Sequence, residues 1–297
     1  MAHKTKELPV IWIQGSGCSG CSVSVLNALS PSITNALIDE IVPGSHISLL
    51  FHPTLMAGSG EPAISAITAT EKEHKEGYIL VIEGAVATGN NGAFAGVGEY
   101  EGKHLTMAEL TSELASKCLA LIALGSCACF GGIPGGEPNP TGILGIQEFL
   151  ESKSIKKPLI NIPGCPSHPD WFLGTVAHVI LNGLPGPQDL DDLNRPKLFF
   201  GKLIHENCQR RAYFDAGKFA ERFGDEGCLY KLGCKGPYTY ADCPIRKWNS
   251  GVNWCVDNGS PCIGCCEPEF PDKFSPMYEK ITQERIEQFS IREGGSK

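Results

Sequence analysis

Long apolar runs are absent from this sequence of 297 residues. A helix that crosses a membrane needs roughly 20 consecutive apolar residues, so a membrane span in this chain is excluded. The N-terminus also lacks the apolar stretch of a secretory signal peptide. We therefore expect either a protein that stays in the cytoplasm or one whose leader has been removed.

Basic residues are scarce relative to acidic ones. The chain holds 25 lysines and arginines against 33 aspartates and glutamates, which gives a formal net charge of −8. Nucleic-acid binding depends on a positive surface that meets phosphates, so this function class is excluded. A negative surface instead suits a basic protein partner, because complementary charge steers association.

Cysteine, by contrast, is abundant, with 14 residues. Small secreted proteins form disulfides because their cores are too small, but a chain that is 42% hydrophobic does not need that support. The C-x2-C pairs instead indicate metal ligation. The candidate ligands are Cys18, Cys21, Cys127, Cys165, His205, Cys208, Cys228, Cys234, Cys243, Cys255, Cys262 and Cys265.

Short apolar runs alternate with helical patterns through the first half of the chain. The runs begin near Pro9, His46, Tyr78, Leu119 and Pro158. This alternation predicts an α/β fold with a parallel, doubly wound sheet. A segment rich in Gly, Pro and Asp follows. We therefore expect a sheet domain over 1–185 and a smaller, mostly irregular and helical iron–sulfur domain over 186–297.

Four of the candidate ligands follow predicted strands. Cys18 and Cys21 come after the first strand, Cys127 after the fourth and Cys165 after the fifth. The carboxyl ends of parallel strands meet at one edge of the sheet, where such folds bind ligands. We therefore expect these four thiolates to converge and hold one iron–sulfur cluster.

The first loop also has a competing interpretation as a nucleotide site. Residues 15–20 fit G-x-G-x-x-G between a strand and a helix, which is the dinucleotide fingerprint. That fingerprint needs a carboxylate at the end of the second strand, whereas this strand ends at His52-Pro53. The glycines fit better as sites where backbone N–H groups approach cluster sulfides.

The C-terminal candidates divide into two sets of four. One set combines a histidine with three cysteines: His205, Cys208, Cys228 and Cys234. A neutral histidine reduces the negative charge of a cluster and raises its reduction potential, which suits an exit cluster near the surface. The other set has four cysteines, which is consistent with a 4Fe–4S cubane: Cys243, Cys255, Cys262 and Cys265.

Structural zinc is the main alternative for the tail, because four-ligand sites with C-x2-C spacing are common zinc sites. Such a protein would be a zinc-stapled scaffold with no enzymatic role. The first site argues against zinc, because its ligands come from three distant loops of a rigid sheet. Zinc sites rarely recruit ligands in that way, whereas clusters often do.

Four residues are left over from the ligand sets. Cys118 and Cys129 are expected to pack in the core as small apolar side chains, and the C-x2-C spacing favours Cys265 over Cys266 as a ligand. Glu83 ends the third predicted strand at the cluster edge. A structural hydrogen bond is its favoured role, with a subunit interface or a proton relay as alternatives.

Six short motifs resemble the small subunit of nickel–iron hydrogenases. They are G-C-S-G-C at 17–21, G-S-C-A at 125–128, P-G-C-P at 163–166, H-E-N-C at 205–208, G-C-K-G-P at 233–237, and N-W followed by P-C-I-G-C within 253–265. The resemblance implies a flavodoxin-like first domain. It also implies that no residue here is catalytic, because the family's nickel–iron site lies in a separate large subunit.

By this resemblance, each ligand set has a place in an electron relay of a reversible hydrogenase. The set that includes Cys165 would hold the proximal 4Fe–4S cluster. The set that includes Cys255 would hold the medial cluster, and the set that includes His205 would hold the distal one. Electrons would pass between the large subunit and an external redox protein, expected to be a multihaem cytochrome c. The family implies a periplasmic location, with the cytoplasm as the alternative.

Departures from the family pattern make the chain similar to the nickel–iron–selenium branch. Cys255 stands where most members have proline and a 3Fe–4S medial cluster, so we expect a 4Fe–4S medial cluster here. Gly17 stands where many members have glutamate. The alternative enzyme is the quinone-facing cluster subunit of a respiratory complex, which shares only the first domain.

Overall fold

The computed structural model describes residues 6–37, 44–279 and 284. The chain divides into two compact units, Met1–Leu198 and Phe199–Lys297. The first unit is built around a parallel sheet covered by helices. The second consists of short helices, turns and loops. This confirms the predicted α/β class followed by a smaller, mostly irregular and helical part.

The strands of the first unit are β1 (Lys6–Gln14), β2 (Ser45–Phe51), β3 (Ile79–Glu83), β4 (Val86–Ala87), β5 (Gly96–Tyr100), β6 (Lys103–Thr106), β7 (Ala120–Leu124), β8 (Ile143–Leu144) and β9 (Leu159–Ile162). Five form a parallel sheet in the order β2-β1-β3-β7-β9. β4 pairs with β8, and β5 with β6, in antiparallel fashion. Every residue of β3 and β7 is buried, as parallel strands covered on both faces should be.

The helices that begin in this unit are α1 (Gly20–Leu26), α2 (Ile33–Leu37), α3 (Glu61–Glu73), α4 (Met107–Lys117), α5 (Ser126–Phe130), α6 (Ile146–Ser152), α7 (Pro169–Asn182) and α8 (Lys197–Phe200). A capping box begins α4, because Thr106 Oγ1 accepts the Glu109 amide and the Glu109 carboxylate accepts the Thr106 amide. Helix α1 opens directly from the loop after β1. This short connection keeps the first cysteine pair at the sheet edge.

One large hydrophobic core lies between the sheet and its covering helices. It includes Leu80 of β3, Leu114 of α4 and Phe149 of α6. Cys118 and Cys129 belong to the same core and are buried. Their predicted role as packed apolar side chains is therefore confirmed.

The segment rich in Gly, Pro and Asp packs within the first unit. The backbone amide of Asn161 in β9 donates to Asn194 O at 2.9 Å, and the Asn161 side chain donates to Leu193 O at 2.8 Å. Composition placed the domain boundary after residue 185, whereas the compact units meet after Leu198. Hydrogen bonds to β9 explain the difference, because they attach residues beyond 185 to the sheet.

The second unit contains little regular structure. Its helices within the described residues are α9 (Arg211–Asp215) and α10 (Cys243–Arg246), with 3-10 turns at Ile204–Asn207, Leu229–Leu232 and Gly236–Tyr238. Its described β-structure is limited to isolated bridges such as Leu203 with Tyr240. Across both units, none of the helices described here has the length and apolar character to cross a membrane.

Candidate metal centres

Four cysteines lie at the carboxyl edge of the parallel sheet. Cys18 and Cys21 follow β1, Cys127 lies in α5 directly after β7, and Cys165 follows β9. Burial raises the pKa of the Cys21 thiol, and the nearby charges of Cys127 and Cys165 raise it further. Burial and the nearby charge of Cys18 likewise raise the pKa of the Cys127 thiol. The sheet topology thus brings together the four residues that the sequence grouped.

Backbone amides point at these sulfur atoms. The Ser167 amide donates to the Cys21 sulfur, and the Ile133 amide donates to the Cys127 sulfur. Such N–H donors stabilise negative charge on a thiolate. Because burial favours the neutral thiols, a metal centre that binds here must displace protons from them.

Two glycines leave open the space beside the sulfur atoms. A Cβ added at Gly125 would lie 2.4 Å from Cys21 Sγ, and one at Gly20 would lie 3.1 Å from Cys18 Sγ. Gly125 also has a φ of +85°, which L side chains rarely adopt. The local sequence therefore keeps room for a bulky group bound by these thiolates. Donor chemistry and space both fit an iron–sulfur cluster.

Glu83 lies at the end of β3 beside this edge and is only 4% exposed. Its Oε1 accepts the backbone amides of Cys21 and Ser22, each at 3.0 Å. Its Oε2 accepts Trp12 Nε1 at 3.1 Å, Gln14 Nε2 at 3.0 Å and the Ser22 hydroxyl. The predicted structural hydrogen bond is confirmed, and Glu83 accepts five of them.

The network continues to His52, a connection that sequence reasoning missed. Ser22 Oγ lies 3.2 Å from His52 Nε2, and His52 Nδ1 accepts the Thr54 amide at 3.2 Å. The His52 ring also packs on Trp12, with 4.7 Å between ring centroids. Burial lowers the pKa of His52, although Glu83 opposes the shift. The sequence did contain one signal for this connection: His52 stands at the strand end where a nucleotide site would have a carboxylate.

The histidine-containing set lines a single cavity in the second unit. Its four members all face that cavity: His205, Cys208, Cys228 and Cys234. Burial lowers the pKa of His205, and Arg211 lowers it further. The neutral imidazole that results is the form that ligates metals.

Amide donors also surround the sulfur atoms of this cavity. The Arg210 amide lies 3.4 Å from Cys208 Sγ. The amides of Tyr230 and Gly236 donate to the Cys228 and Cys234 sulfurs. Three short turns thus supply both the ligands and the groups that stabilise their charge.

The four-cysteine set also gathers in the second unit. Burial raises the pKa of Cys243, and the charges of Cys265 and Cys255 raise it further. Burial and the charge of Cys265 likewise raise the pKa of the Cys262 thiol. The Gly264 amide approaches Cys262 Sγ at 3.4 Å. The fold therefore brings these four cysteines near one another.

Cys266 is buried beside this set, and its thiol hydrogen-bonds to the Cys265 sulfur. A Cβ at Gly264 would lie 2.2 Å from the Phe274 ring. Phe274 thus holds the turn that carries Cys262 and Cys265. This packing fixes the C-x2-C pair.

The two sets of the second unit are joined through the backbone. The Lys235 amide donates to Cys262 O at 2.7 Å. The Cys262 amide donates to the Cys234 sulfur. A ligand of one set is thus hydrogen-bonded to a ligand of the other.

A zinc site would need its ligands to converge on one ion. Among the residues that the structure describes, no three His, Cys, Asp or Glu side chains are arranged to hold a metal ion in that way.

Two protein families match the chain in sequence. Residues 200–278 match the family described as the C-terminal region of NiFe/NiFeSe hydrogenase small subunits. Residues 18–179 match the family described as NADH ubiquinone oxidoreductase, 20 Kd subunit. Each match falls within one of the two compact units.

Relatives match over nearly the whole chain. The periplasmic [NiFeSe] hydrogenase small subunit of Desulfomicrobium baculatum is 47% identical, over 94% of this chain and 89% of that protein. The periplasmic [NiFe] hydrogenase small subunit of Solidesulfovibrio fructosivorans is 40% identical, over 91% and 81%. A solved structure of the Dm. baculatum [NiFeSe]-hydrogenase has a TM-score of 0.86 at 47% identity and covers 93% of this chain and 100% of that one.

Proposed function

The chain belongs to the small subunits of nickel–iron and nickel–iron–selenium hydrogenases, and from that membership we propose that it relays electrons through three 4Fe–4S clusters. The enzyme is an oxidoreductase that acts on hydrogen, and its small subunit is an iron–sulfur protein. When bound, the clusters supply one-electron carriers. The protein's own contribution is to space them and tune their potentials.

The observation that carries this proposal is the grouping of twelve ligands into three sets of four. Topology supports the proximal set, since its loops all leave the carboxyl edge of the sheet. One shared cavity supports the distal set. Mutual effects on thiol pKa values support the medial set. The proposed ligands are Cys18, Cys21, Cys127 and Cys165 (proximal), Cys243, Cys255, Cys262 and Cys265 (medial), and His205, Cys208, Cys228 and Cys234 (distal).

Two partners follow from the proposed relay. One is a large subunit with the nickel–iron site, because the chain itself is a small subunit. The other is an external redox protein, for which a multihaem cytochrome c is our candidate. A net charge of −8 suits a partner with a basic face. We propose a periplasmic location, which the names of two relatives support.

The match of residues 18–179 keeps a quinone-reducing complex as the second candidate. Eight of the proposed ligands lie beyond that match, within residues 200–278, which match the hydrogenase family. A first domain alone would leave those eight without a role. Co-purification with a quinone-reducing assembly would favour this alternative.

The proposal is tested by measuring iron, acid-labile sulfide and zinc per chain in the anaerobically purified complex. Three cubanes predict about 12 irons and as many sulfides from this chain, after the partner's iron is subtracted. About eleven irons would indicate a 3Fe–4S medial cluster and remove Cys255 from the ligands. Zinc in place of iron would overturn the electron relay. Cys118→Ala is the matched control, since it removes a buried thiol without changing the expected iron content.

A further inference from the structure

Among the described residues, the side-chain carboxylate of Glu83 only accepts hydrogen bonds. Both backbone amides, of Cys21 and Ser22, meet Oε1. Oε2 accepts hydrogen bonds from the Trp12 indole, the Gln14 side-chain amide and the Ser22 hydroxyl. Indole and backbone N–H groups can only donate. The same holds for the side-chain NH2 of Gln14, so four N–H donors and the Ser22 hydroxyl hold the two carboxyl oxygens of Glu83.

The buried charge of Glu83 lies beside the proximal ligands. Glu83 pairs with Gln14 of β1 in the sheet and contacts the first turn of α1 through the Cys21 and Ser22 amides. After burial, which is the largest cause, its charge is among those that raise the pKa of both Cys21 and Cys127. The carboxylate thus acts on thiols from two different loops of the set.

We propose that the Glu83 carboxylate positions the Cys18–Cys21 turn and lowers the reduction potential of the cluster bound there. The inference rests on the proposed function, because it requires that cluster. A fixed negative charge disfavours the added electron, and cluster potentials depend on surrounding charge and hydrogen bonds. Glu83 is a positioning residue, since it contacts the ligand backbone rather than the reacting atoms.

This role differs from the proton relay that the sequence left open. A relay carboxyl must take up and release a proton during turnover. Five donors occupy the two oxygens of Glu83, and the Ser22 hydroxyl separates it from His52. The carboxylate is thus held as a hydrogen-bond acceptor on the turn that carries Cys21.

Glu83→Gln in the assembled two-subunit enzyme tests the charge. The midpoint potential of the proximal cluster is measured by an EPR-monitored redox titration. We expect the cluster signal to remain and its midpoint to shift to a more positive potential. Glu83→Asp keeps the charge, so its midpoint should lie nearer to that of the wild type. An unchanged midpoint in Glu83→Gln would overturn the inference.

Glu71→Gln is the matched control. Glu71 lies in α3, pairs with Lys117 and carries the same charge near the amino ends of the strands. Its removal should leave the proximal midpoint unchanged. An equal shift in both variants would show a general effect of net charge and would overturn the specific role of Glu83.

Trp12→Phe is the second variant, for the case that Glu83→Gln does not retain the cluster. It removes one donor and keeps the carboxylate, so the charge is less compensated and the midpoint should fall. A rise would contradict the inference. A redox-linked infrared band of a protonated carboxyl in the wild type, absent from Glu83→Asp, would also overturn it.

The two levels of the proposal fail in different ways. A wild-type complex that shows no proximal cluster signal would overturn the electron relay itself. A normal wild-type signal combined with an unshifted Glu83→Gln midpoint would overturn only the role of Glu83.

Discussion

In the proposed electron relay, Cys255 is the residue on which the type of the medial cluster depends. It follows Trp254, whose indole donates to Gln209 Oε1 at 3.1 Å. Cys255 is exposed as a residue, yet partial burial of its sulfur and then the charge of Cys265 raise the pKa of its thiol. The structure thus gives Cys255 a fixed neighbour and a place beside the other thiols of its set.

Replacing Cys255 with Pro should convert the medial cluster to a 3Fe–4S cluster. One iron per chain should be lost, and the medial potential should rise because cluster type and charge set the potential. Iron analysis and EPR spectroscopy of the anaerobic complex measure both effects. Cys129→Ala, which removes a buried core thiol, should change neither. An unchanged iron content and spectrum in Cys255→Pro would exclude Cys255 as a ligand.

Cys118 provides a pH-dependent test of the core. It is 0% exposed, and burial raises its pKa from 9.0 to about 12. The folded state therefore holds the thiol proton more tightly than the unfolded state. Its contribution to stability is complete below about pH 8.5 and is lost as the pH rises towards 12.

The stability difference between wild type and Cys118→Ala should consequently shrink with pH. Between pH 8 and pH 10 the wild type should lose about 1–2 kcal/mol relative to the variant, because only the wild type has a thiol to ionise there. Free energies of unfolding from denaturant titrations measure this difference. A constant difference across that range would show that the folded thiol is not shifted.

At the scale of elements, we expect the turn between β7 and α5 to decide whether the proposed proximal thiolates can share one centre. Gly125→Ala would place a Cβ 2.4 Å from Cys21 Sγ. We expect this variant to lose about four irons per chain, the content of one cubane, with the other two clusters retained.

Gly183→Ala is the matched control for Gly125→Ala. Gly183 has a φ of +84°, close to the +85° of Gly125, yet no atom lies within 4 Å of its added Cβ. It imposes similar backbone strain without the clash. Iron analysis compares the two, and equal losses would mean that strain rather than space is responsible.

The capping box of α4 gives a prediction of stability alone. Thr106→Ala removes the acceptor for the Glu109 amide and should cost about 1 kcal/mol of unfolding free energy. Thr106→Ser keeps the hydroxyl and should lose much less. Denaturant unfolding distinguishes the two, and iron content should stay constant in both.

Elements were predictable from sequence where a local pattern determines them. The apolar runs after Pro9 and Tyr78 form β1 and β3, because buried parallel strands are continuously hydrophobic. The convergence of Cys21 and Cys127 followed from strand direction alone. The five hydrogen bonds of Glu83 could not be predicted, because their donors come from β1 and α1 and depend on side-chain positions that no spacing encodes.

At the scale of the whole molecule, the two units should respond differently to metal removal. The sheet unit has a large apolar core, whereas the second unit has short helices and turns around its ligands. We expect this limited regular structure to depend on bound metal to offset the entropy of the chain. Cluster removal should therefore unfold the second unit first.

Limited proteolysis of the cluster-free protein tests this difference. Cleavage should concentrate beyond Leu198, while a fragment that contains the sheet survives with its far-ultraviolet circular dichroism. The cluster-loaded complex is the control and should resist cleavage in both units. Equal protease sensitivity of the two units without metal would contradict the expectation.

The hydrogen bonds between Lys235 and Cys262, and between Cys262 and Cys234, have a consequence for how the enzyme matures in the cell. In the proposed relay, insertion of either cluster would fix a backbone segment that the other cluster also needs. The second insertion then meets a preorganised site and loses less entropy. Delivery of the medial and distal clusters should accordingly be cooperative, so that chains loaded with only one of them are rare intermediates.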